Sequence, residues 1–458
     1  MRKVCGLWLI AAAGLAQQMG TFSATGSMGT ARADHSATLL PSGKVLIAGG
    51  YERALPDMIL ASAELYDPTA GTFSPAGSMT TPRARHSAVL LPDGRVLIVG
   101  GSGDLSAEIY DPAAGTFTAT ESTATQTYFW NSAALLQDGR VFIAGQPTAQ
   151  IFDPVSGKFS ATAAYSMGPP DYLDAVTVLA DGGVLVTGAY SQVYDPQNDR
   201  FTTAPGMNHP YDEYTVTLLI DGEVLLVGNA DNDGTPADAE VYDPAKPGFT
   251  ALPPAAYDHE YAAAAMLADG TVLVTGGQLP GGNGENVSEL YAPAGGFSNA
   301  GNMTWPRHEH TATLLADGTV LIAGGYDYWP GSTANAEVYR PASPGAAPRL
   351  FPLAADGSGQ GAIWHSQSGQ PANAASPAVA GEALSLYTTG LASGGVVPPG
   401  VYIGGRPAPI LYFGDAPGYP GFYQVNVRMP DGVGSGSAVP VRLTYFGRPS
   451  NAVTIAAQ

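Results

Sequence analysis

The sequence predicts an all-β chain, a seven-bladed β-propeller followed by an immunoglobulin-like β-sandwich. Three observations lead there. One segment recurs seven times, each copy holds four short β-runs separated by turn residues, and the spacing stops before a last stretch of β-runs with Gly/Pro-rich turns.

The recurring segment reads H-S/T-A-x-L-L-x-D-G-x-V-L-I-x-G-G, then a variable loop, then A-E-x-Y-D-P-x-x-G-x-F. Its turn glycine falls at Gly43, Gly94, Gly139, Gly182, Gly222, Gly270 and Gly318, at spacings of 40 to 51 residues. The aromatic of the third run recurs as Tyr66, Tyr110, Phe152, Tyr194, Tyr242, Tyr291 and Tyr339. That of the fourth recurs as Phe22, Phe73, Phe117, Phe159, Phe201, Phe249 and Phe297. In the second copy, His86 to Leu91 is followed by Asp93-Gly94, a turn suited to a two-residue hairpin. Arg95 to Val99 is nearly all apolar and is expected to be buried on both faces. Ala107 to Tyr110 stops at Asp111-Pro112, since proline cannot donate to a ladder. A fourth run starts at Phe117. Four antiparallel strands repeated radially make a propeller, each blade covering its neighbour's apolar face. The chain opens on fourth-strand sequence, Gly20-Thr21-Phe22-Ser23, and the last copy ends after its third strand at Tyr339. The opening strand is therefore expected to complete the seventh blade and remove the free edge.

The paired glycines (Gly49-Gly50, Gly100-Gly101, Gly276-Gly277, Gly324-Gly325) with the spaced aromatics resemble the kelch repeat over roughly residues 20 to 341. Copies three to five depart from it at Gly145-Gln146, Gly188-Ala189 and Gly228-Asn229. Residues 342–348 read as a linker. The β-runs beyond it are Ala383 to Tyr387, Val401 to Ile403, Ile410 to Phe413, Phe422 to Val427, Val439 to Tyr445 and Ala452 to Ile455. They suggest the sandwich over residues 349–458. The stretches from Gly381 to Leu391, Tyr402 to Pro409 and Gly421 to Val427 resemble an uncharacterised C-terminal domain family of secreted acidobacterial proteins, similar to IPT/TIG modules. That resemblance implies an extracytoplasmic accessory domain and no chemistry.

Arg2 and Lys3, the apolar run Val4 to Leu15 and the small residues around Gly14-Leu15-Ala16 read as a signal peptide over residues 1–16, leaving the propeller at residues 17–341. The expected address is secreted, periplasmic or extracellular. The apolar run is too short to span a bilayer, so no membrane insertion is expected. Cys5, the only cysteine, lies in this segment, which excludes disulfides, thiolate metal sites and cysteine catalysis from the mature chain. Asp and Glu outnumber Lys and Arg 39 to 19, and the net charge of -20 argues against nucleic acid. A monomer is expected, with a protein or glycan as partner.

The turns on one side of the ring are short and alike in every copy. The other side carries the long loops Tyr51 to Leu60, Asn229 to Asp238, Gln278 to Val287 and Tyr326 to Asn335, and is the expected binding face. Aligned at the start of the first strand, the copies place His35, His86, Asn131, Asp174, Tyr214, Ala262 and His310 at one position. Three residues earlier stand Arg32, Arg83, Tyr128, Asp171, Tyr211, His259 and Arg307. The Arg-x-x-His pairs of copies seven, one and two read as blade-to-blade hydrogen bonds. Copies three to six form an acidic and aromatic sector. Tyr128, Trp130, Asp171, Asp174, Tyr211, Glu213, Tyr214, His259 and Tyr261 are its candidate ligand-binding residues, with rings to stack on a sugar and carboxylates to accept its hydroxyl protons. The plainer alternative is that these tyrosines pad the channel mouth and the carboxylates are solvated.

No catalytic residue, metal or cofactor is assigned. His308-x-His310 is a weak metal pattern because His310 has a repeat position. Asp231 to Gly234 with Asp238 lacks the bidentate Glu of a calcium loop. Propellers of this kind with a C-terminal β domain also resemble galactose oxidase-like copper radical enzymes. That resemblance implies a Tyr-Cys crosslink, a Tyr-His pair at a first strand and a histidine from the C-terminal domain. Here Glu309 precedes His310, with Asp34 and Arg85 at the equivalent positions, and His365 alone resembles the last ligand. The leading expectation is a secreted binding protein using the loop face. The alternative is a carbohydrate-active enzyme on that face, an isomerase or lyase working by acid–base chemistry in the first place and a copper radical oxidase in the second.

Overall fold

The computed structural model describes residues 19–53, 58–101, 106–121, 123, 132–145, 148–164, 175–188, 190–208, 213–229, 238–279, 281–328, 331–343, 347–353, 359–392 and 395–458. Every element among them is a β-strand.

A tight turn ending in glycine, Asp-Gly in six copies and Ser42-Gly43 in the first, makes each blade. Its glycine takes a φ between +84° and +92° in all seven copies, a conformation that costs other residues a Cβ clash. In most of these turns the aspartate caps the loop, as where Asp93 Oδ1 accepts from Arg95 N at 3.0 Å. The turn returns the chain into a second strand such as Val45–Ala48, Val96–Val99 or Val320–Ala323, wholly buried in every copy. In the third strand the aromatic meets the aromatic of the fourth. Tyr66–Phe73, Tyr110–Phe117, Phe152–Phe159 and Phe22–Tyr339 all stand at 4.8 Å between ring centroids.

Seven four-stranded antiparallel sheets result among the described residues. Their first strands stand side by side in a closed order. Ser36–Leu39 adjoins Ser87–Leu90, which adjoins Ala133–Leu135, then Ala175–Val178, Glu213–Leu218, Ala263–Met266, Thr311–Leu314 and Ser36–Leu39 again. The chain is thus a β-propeller whose cores lie between blades. Leu46 and Ala48 of blade one pack on Val96, Ile98 and Tyr110 of blade two, and Leu321 and Ala323 of blade seven pack on Val45, Ile47 and Tyr66 of blade one. Thr21–Ala24 is the outer strand of the seventh sheet, paired antiparallel with Ala336–Arg340.

Three of the long loops, expected to be irregular, contain two-residue ladders: Tyr51–Glu52 with Met58–Ile59, Gln278–Leu279 with Asn283–Gly284, and Tyr326–Asp327 with Gly331–Ser332. Residues 54–57, 230–237, 280 and 329–330 of these loops lie outside the described residues.

Beyond the propeller, two five-stranded sheets close on one core. The first runs in the order Arg349–Leu350, Ala383–Thr389, Tyr423–Arg428, Ile410–Asp415, with Ile363–His365 also on Ala383–Thr389. The second is built on Gly400–Ile403, Gly436–Tyr445 and Val453–Ala457. This sandwich sits on the turn face of the propeller. Val396 N donates to Ile220 O at 3.0 Å, Arg448 Nη2 donates to Ala316 O at 2.9 Å, and a Cβ on Gly139 would meet Pro407 at 2.8 Å. These sandwich contacts all fall on the turn face, opposite the long loops.

Deleting residues 17–26 should strip the outer strand from blade seven and expose a hydrogen-bonding edge. We expect aggregation or a large fall in melting temperature; an unchanged melting curve would show that the strand does not close the ring.

Candidate functional site

The site grows out of the joints between blades. Arg32 Nη1 donates to Gly49 O at 2.7 Å and Arg32 Nη2 to Glu64 Oε1 at 2.9 Å, with no guanidinium surface exposed. Arg83 and Arg307 repeat this on Gly100 O and Glu108, and on Gly324 O and Glu337. The arginine side chain therefore binds within its own blade, a correction to the expected crossing. The crossing is made by its backbone and by the histidine. Gly50 N donates to Arg83 O at 2.8 Å, and a Cβ on Gly49 would lie 2.3 Å from that same oxygen. Glycine is needed where the next blade comes this close. His86 Nε2 meets Ser36 Oγ at 2.8 Å, His310 Nε2 meets Thr275 Oγ1 at 2.8 Å, and His35 Nε2 meets Thr311 Oγ1 at 3.1 Å, each on the preceding blade. Burial and the neighbouring Arg83 push His86 down to about 3, so its ring is neutral.

Between arginine and histidine one residue turns left-handed. Asp34, Arg85, Tyr261 and Glu309 have φ of 53°, 57°, 54° and 53°. Such a backbone costs a non-glycine residue of order 1–3 kcal/mol and persists where its surroundings impose it. Here the imposition is visible. Glu309 N donates to Tyr261 O, Asp34 N to Glu309 O and Arg85 N to Asp34 O, at 3.0, 3.0 and 2.9 Å. A head-to-tail chain of amides runs over blades six, seven, one and two. All four side chains line a cavity of about 270 Å³, together with His35, His86, Tyr214, Ala262 and His310.

Two carboxylates and two guanidiniums meet there. Arg53, from the blade-one loop, reaches Glu309 Oε1 at 2.8 Å and Asp34 Oδ2 at 3.3 Å. Arg85 Nε reaches Asp34 Oδ2 at 3.0 Å. Arg53 lies over the Tyr326 ring at 4.8 Å, and both arginines stand 5.8 Å from the Tyr51 ring. The carboxylates are nearly enclosed, with side-chain exposures of 8% for Asp34 and 4% for Glu309, while the arginines are partly open at 24% and 21%. Burial first, and Asp34 second, raise Glu309 to about 7 in spite of both guanidiniums. Its Oε2 is buried without a hydrogen-bond partner. This is a carboxyl able to hold or release a proton near neutrality.

The structure sorts the sequence-based candidates. Tyr261 lines the cavity. Tyr214 lines it too, but its hydroxyl donates to Thr187 Oγ1 of the preceding blade at 3.1 Å, the bond histidine makes elsewhere. His259 is a correction. Fully buried, it bridges Gly276 O at 2.8 Å and Glu289 Oε2 at 3.0 Å, which are the two acceptors arginine uses in other blades. It is a joint residue with no access to a ligand. Tyr128, Trp130, Asp171, Asp174 and Tyr211 lie outside the described residues, as does the Asp231 to Gly234 loop; Glu213 starts a first strand. His308 and His310 do not converge on a metal, His310 being bound to Thr275 and His308 packing on Tyr326 at 5.3 Å. From the sequence, Asp34, Arg85 and Glu309 stand out only as departures from a copper enzyme's pattern. Tyr51, Arg53 and Tyr326 fall in loops of the expected binding face, but nothing in the sequence singles them out within those loops. The available signal was the position just before the histidine, where the three adjacent copies that keep Arg-x-x-His carry Glu309, Asp34 and Arg85, charged residues of both signs.

A larger groove of about 780 Å³ lies between the sandwich and blades three and four, but its walls are mainly Leu, Val, Pro and Tyr without a cluster of titratable groups.

No family model and no curated protein matches the sequence. Among solved structures, the chain is similar to a novel fungal alcohol oxidase with catalytic diversity among the AA5 family, in complex with copper. The TM-score is 0.63 at 17% identity, over 96% of this chain and 100% of that one. The likeness shows a shared fold. Copper does not fit the residues present. Among the described residues no three His, Cys, Asp or Glu side chains come together as metal ligands. The three channel imidazoles are engaged by Ser or Thr, and two guanidiniums occupy the mouth. His365, the expected mimic of a C-terminal ligand, is bound inside the sandwich to Glu382 and to Ser376 O, both at 3.0 Å.

Glu309 titrates at about 7 when folded, against an ordinary 4.5. The folded state keeps a proton that the unfolded chain releases between those values. This contribution to stability is complete below pH 4.5 and is lost as the pH rises through about 7. Glu309→Gln should flatten the decline of melting temperature across that window; an unaltered slope would mean that the arginines keep Glu309 fully charged.

Proposed function

We propose that the loop face is a carbohydrate-active site. It takes one small, hydroxyl-rich ligand at the channel mouth and works on it by proton transfer, with Glu309 as acid and base. The observation that carries this is the pair Asp34–Glu309, enclosed beneath Arg53 and Arg85 with one carboxyl poised near neutrality. A cavity of about 270 Å³ is at the small end of ligand sites, suited to a single sugar unit. Tyr261 supplies a ring for its apolar face and Arg85 donates to its oxygens, while Arg53, stacked on Tyr326, holds the two carboxylates from the side. The Glu309 carboxyl would give a proton to a substrate oxygen and take one back from the carbon or hydroxyl deprotonated in the same turnover, the bookkeeping of an isomerase or lyase. The solved relative is an alcohol oxidase, which makes a hydroxyl-bearing substrate common ground without its copper. We also read the blades as kelch type, the sandwich as immunoglobulin-like and the chain as exported, on the paired glycines, the β-runs and the N-terminal apolar segment.

The test is turnover against a panel of mono- and oligosaccharides followed by NMR. We expect activity with an apparent pKa near 7, lowered by about 10²-fold or more in Glu309→Gln. Saturable binding with no turnover would reduce the site to a sugar receptor. Neither binding nor turnover would remove the proposal.

A further inference from the structure

The sandwich carries a second feature, far from the channel mouth. In its first sheet, paired residues share a side, so the register Trp364–Ser385–Asn426–Tyr412 crosses the outer face in one row. Tyr387, Gln424 and Gly414 make the next row. The inner side holds Leu384, Leu386, Val425 and Val427, all fully buried, so the aromatic row is not core. Tyr412 is 46% exposed and also stands at the rim of the groove between the sandwich and blades three and four. At the far end Phe422 and Tyr419 are exposed as well, with Phe422 packed 5.3 Å from Phe351. Trp364 and Tyr387 are half-buried and pack edge to face at 5.4 Å, and Ser385 is buried against Ser366, so of the rings in these two rows Tyr412 is the one that stands exposed, with the other two beside it on the same face.

The glycine in the second row tells what the rings are for. A Cβ on Gly414 would lie 2.8 Å from the Tyr412 hydroxyl oxygen and 3.2 Å from Cζ. The Tyr412 ring therefore lies across Gly414, flat on the sheet, with one face offered outward. Beside it Gln424 Nε2 donates to Asn426 Oδ1 at 2.9 Å, which fixes both carboxamides between the rings. The outward positions of the three central strands include no carboxylate, in a chain with 39 Asp and Glu residues. Flat rings that accept C–H faces, oriented amides that hydrogen-bond hydroxyls, and an absence of negative charge complement a neutral polyhydroxylated chain.

We propose that this face of the sandwich binds a neutral polysaccharide, independently of the channel-mouth site. One sugar unit would stack on Tyr412, with its neighbours reaching the half-buried rings of Tyr387 and Trp364.

The experiment uses the full chain in native gels cast with soluble β-glucan, xylan, galactomannan or polygalacturonate, and in pull-downs on cellulose and chitin. We expect retardation or capture by at least one neutral polymer, weakened about tenfold by Tyr412→Ala and largely kept by Tyr412→Phe. Gly414→Ala, which lifts the ring while leaving it in place, should weaken binding as well; an exposed tyrosine with no platform role would not respond. Equal melting temperatures would show that these surface variants are folded. Glu309→Gln should bind as the parent does, which separates this proposal from the one at the channel mouth. No retention on any neutral polymer overturns it, as does retention by polygalacturonate alone or retention indifferent to Tyr412→Ala. Concentration-dependent dimerisation abolished by Tyr412→Ala, without polymer binding, would make the face a contact between copies and overturn it too.

Discussion

A buried cation at the start of each regular blade governs the geometry of the ring. Arg32, Arg83 and Arg307 have no solvent-exposed surface, and each guanidinium spans a glycine carbonyl and a buried glutamate of its own blade. Dehydrating such a pair costs several kcal/mol, so its net gift to stability is small. What it fixes is position. With arginine anchored in one blade and histidine bonded to the blade before, the residue just before the histidine closes the span in a left-handed turn. Its side chain is delivered to the axis. The strained backbone at Asp34, Arg85, Tyr261 and Glu309 thus follows from the joints that hold the ring.

This arrangement separates scaffold from chemistry within four consecutive residues. Arginine and histidine are confined by their partners, whereas the left-handed position contacts the cavity and is free to vary between copies. Acidic, basic and aromatic residues occupy it in neighbouring blades, all referenced to one chain of backbone amides. A loop from blade one then lays Arg53 across two of them.

The fold was legible because its determinants are local and repeated. Turn glycines, wholly apolar second strands and paired aromatics each recur with every blade, and their period exposes them. The candidate site was less legible. His259 and Tyr214 looked like departures from the repeat, yet each makes the bonds of the residue it replaces, imidazole for guanidinium and phenol for imidazole. A change of residue type was not a change of role. Arg53 does not stand out within its loop because its reach depends on a loop ladder of two residues a side, too short to leave a period. The strands Arg349–Leu350 and Ile363–His365 escaped for the same reason.

The pairing of Thr21–Ala24 with Ala336–Arg340 has a bearing on how the molecule is made. Ser23 and Val338, bonded through the serine hydroxyl, are separated by 315 positions along the chain. Thr21–Ala24 leaves the ribosome that far ahead of Ala336–Arg340 and has that partner only when nearly all the blades have been synthesised. Bringing such distant segments together is entropically slow and gives the chain a high contact order. Intermediate blades can stack on their neighbours as they emerge, but the circle locks last, and a truncated product would carry two open ends.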